Sequence, residues 1–322
     1  MKIIVNGAVT ISEVPGLDAI AAEADLVCAP DTEHLAAALP GAEILLGWNF
    51  RGRDLPDAWH LADNLKWIHW CGAGVDAVMF KELADSDVLL SNSRGIFDRA
   101  MAEYVAGYVI SEMKLFRDTW SAQEKRIWNY RRTYNVSGTR AVIFGVGSIG
   151  REVARVLNAL GVIVSGVGRS SRDGDADFTK ICSQNDAQGA IADADWVIGV
   201  MPLTAETTDY FDADLFAAMK PGSRFINIGR GASVVEPALI GALESGHLAG
   251  AMLDVFQTEP LAEDDPIWRA PNIMISPHMS GDYMEAQPDM VQLFLDNFAR
   301  YRAGEPLLNV VDKSLGFVRS RG

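Results

Sequence analysis

Short apolar runs alternate with stretches of helical periodicity along almost the whole chain. KIIV, DLVCAP, EILLGW, LKWIHW and DVLLSN come first, separated by helix-like segments such as TEHLAAALPGA. A helical pattern follows from about Arg99 to Met113, where Met101, Val105, Val109 and Met113 recur every fourth residue. That spacing predicts a helix with a core-facing stripe, placed to join two lobes. A second series runs through AVIF, VIVSGV, ADWVIGVMP, SRFINIGRG, AGAMLDVF and IMISPH. The last helical stretch, roughly Met284 to Tyr301, ends at Ala303-Gly304, and LLNVV follows as a terminal strand or strap. Alternation of this kind is the mark of parallel sheets covered by helices. The expected fold is α/β, with two Rossmann-like or flavodoxin-like parallel-sheet domains. There are no repeats, low-complexity tracts or Pro/Gly-rich linkers.

Length and charge narrow the possible partners. A chain of 322 residues, 49% hydrophobic and 22% charged, suits two globular domains. Asp and Glu number 43 against 28 Lys and Arg, a formal charge of −15. Phosphates would be repelled over most of such a surface, which argues against nucleic acid or an anionic membrane as partner. Any anion site must be built locally, so isolated arginines carry more meaning here. Cys28, Cys71 and Cys182 have neither CxxC nor metal-ligand spacing, so reduced thiols and no metal site are expected. MKIIVNGAVT reads as a first strand rather than a signal peptide, and no apolar run approaches the ~20 residues of a membrane span. A cytoplasmic location is expected.

Gly145-Val-Gly147-Ser-Ile-Gly150 follows the run AVIF and opens REVARVLNALG, which has helix periodicity. In this strand–turn–helix setting the glycines read as a dinucleotide turn. Gly145 permits the turn, Gly147 lets a pyrophosphate approach the backbone, and Gly150 lets the helix pack on the strand. The helix N-terminus then offers N–H groups and a partial positive charge. The second strand ends in GRSSR, Gly168 to Arg172. An Asp or Glu there would accept from a ribose 2′-hydroxyl and favour NAD. Gly168 stands in that place instead, followed by Arg169, Ser170 and Arg172. Guanidinium groups grip phosphate oxygens in pairs, so the stretch reads as a 2′-phosphate pocket, with NADP preferred and NAD possible. Asp173 and Asp175 follow closely and support the rival reading of a solvated loop.

Ligands bind beyond the carboxyl ends of open parallel sheets. Those ends carry Arg230 after FINIG, Asp254 after AML, Glu259 shortly beyond, and His278 after MISP. Hydride transfer to a 2-oxo acid needs a cation to hold the carboxylate and polarise the carbonyl, plus an acid for the new alkoxide. Histidine suits the second role, and a neighbouring carboxylate favours and orients the imidazolium. His34, His60, His69 and His247 have no such setting.

In these residues the chain resembles the D-isomer-specific 2-hydroxyacid dehydrogenases, particularly the glyoxylate/hydroxypyruvate reductase type. The resemblance spans CGAGVD (Cys71–Asp76), AEYV (Ala102–Val105), GVGSIG (Gly145–Gly150), MPLTAETT (Met201–Thr208), NIGRG (Asn227–Gly231), LDVFQTEPL (Leu253–Leu261) and SPHMSG (Ser276–Gly281). It implies Arg230 on the substrate carboxylate and carbonyl, His278 as general acid in reduction and base in oxidation, and Glu259 paired to it. It also implies carboxylate-holding N–H groups at Ala73, Gly74 and Val75. Coenzyme contacts are implied from Ser148, Ile149, Pro202, Thr207, Ile228, Gly229 and Asp254, with Met101, Ser280 and Gly281. The family places the substrate in a cleft between lobes and forms homodimers through the coenzyme lobe. The first lobe should be discontinuous, 1–98 with 283–322 as substrate domain, leaving 99–282 as dinucleotide domain. Trp48, Asn49, Arg51 and Arg94 fall near the expected cleft without fixing the acid. The expected activity is NADPH-linked reduction of a small 2-oxo acid. Alternatives are a non-catalytic NAD(P)-sensing protein on the same fold, disfavoured by the complete Arg230, Glu259 and His278 set, and formate or phosphite oxidation.

Overall fold

In the computed structural model, residues 1–319 are described, and the chain divides into two compact units. One comprises Met1–Phe97 and Tyr283–Gly322, the other Asp98–Asp282.

The first unit is a five-stranded parallel sheet of β1 (Lys2–Asn6), β2 (Asp25–Ala29), β3 (Ile44–Gly47), β4 (Trp67–Trp70) and β5 (Leu89–Asn92), in the order β2-β1-β3-β4-β5. That is the flavodoxin-like order. Every residue of β3 and β4 is buried, as expected of strands covered on both faces. The helix Ala286–Ala303 returns to this sheet, stacking Phe294 and Tyr301 on Trp67 at 5.3 and 5.5 Å between ring centres. It stops where Gly304 turns left-handed, φ 70°. LLNVV forms a strap rather than a strand. Val311 N–H reaches Leu90 O at 2.8 Å, Asn92 N–H reaches Asn309 O at 3.2 Å, and Val310 makes one bridge with Ser91.

The second unit is an eight-stranded sheet of β6 (Arg140–Phe144), β7 (Ile163–Gly168), β8 (Arg172–Asp173), β9 (Lys180–Ser183), β10 (Trp196–Gly199), β11 (Arg224–Asn227), β12 (Gly250–Leu253) and β13 (Ile273–Ile275). The order is β13-β12-β11-β10-β6-β7-β9-β8, parallel except for β8. The strand order reverses between β6 and β10, which places the switch point of a doubly wound sheet beside the glycine turn. The helix Asp98–Lys114 belongs to this unit and buries Met101, Val105 and Val109. Two strands were not foreseen. β9, KICS, is only four residues long and alternates little, yet Ile181 and Cys182 are buried beside β7. β8 exists only as its antiparallel partner. The helix Phe116–Glu124 was also unforeseen, because none of its residues is buried and no apolar stripe marks it. All three cysteines are free, and among the described residues no helix is long and apolar enough to cross a membrane.

His69 lies wholly buried on β4, its Nδ1 2.8 Å from the Ser91 hydroxyl, which also accepts from Trp67 Nε1 at 2.8 Å. Burial pushes this imidazole down to about 3. Between that value and its unfolded value near ~6.5 the unfolded chain binds the extra proton, so stability falls as pH falls. Chemical denaturation should show a loss of about 1 kcal/mol per pH unit below ~6.5 from this group. His69→Gln should flatten the profile between pH ~6.5 and ~5, and an unchanged slope would remove the assignment.

Candidate active site

The carboxyl edge of the eight-stranded sheet gathers most of the residues singled out above. At the end of β6, Gly145 has φ +109°, and a Cβ there would lie 2.7 Å from the Val200 carbonyl oxygen. A Cβ on Gly150 would sit 1.8 Å from the Gly145 oxygen, so this turn closes only with glycines at those two places. Gly147 differs. A Cβ there would meet nothing within 4 Å, and the residue is exposed. It precedes the helix Ser148–Ala159 in extended backbone with no side-chain cap, and the first intrahelical bond is donated by Arg151 to the Gly147 carbonyl. Ser148, Ile149 and Gly150 therefore offer their N–H groups outward, the arrangement that holds a pyrophosphate. The geometry fits a dinucleotide.

Beyond β7 the chain makes a tight reversal into β8. Arg169 and Ser170 are exposed on the turn, and Arg172 is exposed on the edge strand. Ser171, unmarked in the sequence reading, shapes the turn: its hydroxyl accepts from Ser183 N–H at 2.8 Å and donates to Asp186 at 3.3 Å. Asp175 is engaged elsewhere, 2.8 Å from Arg151, which holds its carboxyl well below the usual range. Buried Asp177 takes Arg151 at 2.7 Å and Arg155 at 2.9 Å.

After β10, Thr207 is buried, donating to Pro202 O at 2.8 Å and accepting from Thr204 N–H at 2.8 Å. Its hydroxyl thus folds the loop that carries exposed Pro202. After β11, Ile228 is buried with its N–H on Gly199 O at 3.0 Å, and Gly229 N–H is held by Asn227 Oδ1 at 3.1 Å. Arg230 follows, its carbonyl fixed by Asn227 Nδ2 at 3.0 Å and Ser233 Oγ at 2.7 Å. Its guanidinium donates to Gly229 O at 2.9 Å. A Cβ on the next residue, Gly231, would lie 1.9 Å from the Phe256 carbonyl carbon. The backbone after Arg230 is therefore packed directly on the segment that leads to Glu259.

After β12, the Asp254 carboxylate is 1% exposed. It accepts from Ser276 Oγ at 2.7 Å and from the N–H groups of Met279 and Ser280, both at 2.9 Å. His278 N–H donates to the Asp254 carbonyl at 2.8 Å. These bonds hold the turn after β13 with His278 at φ 53°, a left-handed conformation costly for a non-glycine residue. The turn aims the imidazole at Glu259: Nδ1 to Oε2 is 2.6 Å, while Oε1 accepts from Phe256 N–H at 2.9 Å. Burial is the largest influence on Glu259 and pushes its carboxyl up. The hydrogen bonds from His278 and Phe256, with the charges of His278 and Arg230, outweigh it and hold the group below the ordinary range. Glu259 is thus ionised and orients the imidazole through Nδ1. Met101 is buried in the first turn of its helix, Ser280 is buried, and Gly281 is half-buried. The sequence marked Asp254 as a ligand contact. Its role in shaping the His278 turn with Ser276, and that of Asn227 in holding the backbone at Gly229 and Arg230, needed the tertiary structure.

In the first unit, Ala73, Gly74 and Val75 follow β4. Asn92 Nδ2 donates to Ala73 O at 2.5 Å, and Ser93 N–H to Gly72 O at 3.1 Å, so the loop's carbonyls are tied down. Trp48 is half-buried and Asn49 exposed; Arg51 lies over the Phe50 ring at 5.4 Å. Arg94 reaches the carbonyls of Val318 and Arg319.

Asp254→Asn would set an amide N–H2 against the Ser280 N–H, leaving two donors facing each other. Urea unfolding should show a loss of about 1–3 kcal/mol. An unchanged midpoint would show that the carboxylate does not hold the turn.

Residues 106–280 match the profile of the family described as "D-isomer specific 2-hydroxyacid dehydrogenase, NAD binding domain". The chain is 34% identical over 262 residues to a glyoxylate/hydroxypyruvate reductase A of Serratia proteamaculans, covering 79% of this chain and 82% of that one. It is similar to a D-isomer specific 2-hydroxyacid dehydrogenase family protein of Aeromonas salmonicida, with 31% identity and TM-score 0.83 over 97% of this chain and 99% of that one. An NADPH-dependent glyoxylate/hydroxypyruvate reductase of Sinorhizobium meliloti, solved with NADP and sulfate, gives 28% identity and TM-score 0.82 over 98% and 99%. With a glycine turn built for a dinucleotide and an imidazole oriented by a carboxylate at one sheet edge, this chain belongs to the D-isomer specific 2-hydroxyacid dehydrogenases and is an NAD(P)-dependent enzyme of that family.

Proposed function

We propose that the protein is an NADPH-preferring reductase of small 2-oxo acids such as glyoxylate or hydroxypyruvate, able to run in reverse on D-2-hydroxy acids. The observation that carries the reading is the 2.6 Å pairing of His278 with Glu259 on the sheet edge that also bears Arg230. The coenzyme, when bound, supplies or accepts the hydride. Arg230 binds the substrate carboxylate and polarises its carbonyl. His278, oriented through Nδ1, gives a proton from Nε2 to the carbonyl oxygen during reduction and takes it back during oxidation. Glu259 stabilises the imidazolium and fixes the ring. The same reading assigns the N–H groups of Ala73, Gly74 and Val75 to the substrate carboxylate, and residues 1–98 with 283–322 to the substrate domain. Residues 99–282, with Met101, Pro202, Thr207, Ile228, Gly229, Asp254, Ser280 and Gly281, serve the coenzyme.

NADPH preference is supported by Gly168 in the place of an acid and by exposed Arg169, Ser170 and Arg172 just beyond it. Asp175, one of the acids that follow them, is paired with Arg151. The Sinorhizobium relative carries NADPH dependence in its name and NADP in its structure.

A homodimer through the coenzyme unit is supported by the segment after the helix Asp98–Lys114. Trp120, Ile127, Trp128, Tyr130 and Tyr134 are exposed there, Trp128 by 98%. The segment is nonetheless held in place, with Arg131 on Leu115 O at 2.8 Å and Tyr134 N–H on Met113 O at 2.9 Å. Ordered aromatics facing water suit a second copy of the same surface.

His278→Ala should lower kcat about a hundredfold or more while NADPH still binds, as checked by stopped-flow turnover beside fluorescence titration. Strong residual turnover would exclude His278 as the proton donor. Wild type should show a far lower KM for NADPH than for NADH, and Arg169→Ala should narrow that gap. Equal use of both coenzymes would remove the preference. Trp128→Asp should shift the sedimenting species from dimer to monomer, and no shift would place the interface elsewhere.

A further inference from the structure

We infer that Val146 is a coenzyme-specificity residue, because its Cγ2 methyl crowds any side chain placed at position 168. The inference rests on the 2′-phosphate reading above and extends it to a residue outside the GRSSR stretch.

β7 carries glycine at positions 166 and 168, two residues apart and so on the same face of the strand. Neither glycine has a positive φ, and their backbones would accept a side chain. What crowds one is Val146. A Cβ on Gly166 would lie 2.6 Å from Val146 Cγ1, and a Cβ on Gly168 would lie 3.1 Å from Val146 Cγ2. One branched side chain thus covers both glycines, one with each methyl. The Gly166 side is closed further by Phe178 Cδ1 at 3.2 Å, whereas Gly168 has only Ile181 Cγ2 at 3.7 Å besides the valine.

Val146 does not give way freely. It sits between Gly145 and Gly147, and Gly145 is anchored by its N–H on Val167 O at 3.0 Å and by its close approach to Val200. Branching at Cβ also leaves the side chain few χ1 states. An Asp at position 168 must therefore push Val146, and through it the turn that presents the helix N-terminus to the pyrophosphate. The acid that would favour an unphosphorylated ribose displaces Val146 by a few tenths of an ångström, toward the part of the site common to both coenzymes. Arg169 and Arg172 attract a 2′-phosphate, and Val146 crowds its competitor. Shortening residue 146 to alanine removes both methyls and opens the position.

The test combines equilibrium titration of NADPH and NADH, followed by nicotinamide fluorescence, with thermal unfolding of the coenzyme-free protein. Gly168→Ala should lower the melting temperature of the wild type and have little effect when Val146→Ala is already present. Gly168→Asp alone should weaken both coenzymes by about tenfold or more. Val146→Ala with Gly168→Asp should restore NADH binding to the wild-type level or tighter while NADPH stays weak. The inference is overturned if Gly168→Asp alone tightens NADH as much as the double variant does, or if the two substitutions act additively on melting. Equal wild-type affinity for the two coenzymes would overturn the 2′-phosphate reading, and the melting cycle would still decide the steric claim.

Discussion

The buried carboxylate of Asp254 is the interaction on which the reactive edge depends. It sits at the end of β12 and spends its oxygens on the turn after the neighbouring strand, binding Ser276, Met279 and Ser280. A buried charge is tolerated only where hydrogen bonds replace the water it has lost. Here those bonds also keep His278 in a left-handed conformation that the residue would not choose by itself. The cost of burying the charge and the cost of the strained φ are met by one set of contacts, and the imidazole is fixed as a result.

Parallel strands make this economy possible. Their carboxyl ends lie along one edge, so residues 230, 254 and 278, far apart in sequence, share it. Close backbone packing sharpens the arrangement. Gly231 against Phe256 brings the chain after Arg230 onto the segment that delivers Glu259, and the Phe256 N–H holds the far oxygen of that carboxylate. The carboxylate is held ionised and the histidine faces it, so electrostatics and geometry agree on Nδ1 as the nitrogen that anchors the ring.

The coenzyme turn depends on a different economy, in which the absence of side chains is the active feature. Gly145 and Gly150 are required by contact, Gly147 faces open space, Gly166 is closed by Val146 and Phe178, and Gly168 is crowded by the same valine. The strong negative charge of the chain is interrupted at that point by arginines on an exposed turn, while Asp175 and Asp177 are bound by Arg151 and Arg155 on the adjoining helix.

By itself the sequence determined the alternation of strands and helices and the glycine turn, and it marked Arg230, Glu259 and His278 just past strand ends. These features are local: a short apolar run, a fixed glycine spacing, a polar residue just past a strand. Even the discontinuous first unit was suggested only by resemblance, since no local pattern tells a helix such as Ala286–Ala303 to stack on Trp67. β8 and β9 escaped notice because they are short and draw their order from pairing, β9 with β7 and β8 with β9. The tertiary structure alone decided that Asp254 folds the His278 turn, that the Ser171 hydroxyl ties the turn after β7 to Ser183 and Asp186, and that Val146 lies against position 168. Each of those is a contact between residues remote in sequence, and hydrophobic periodicity carries no record of which remote atoms will meet.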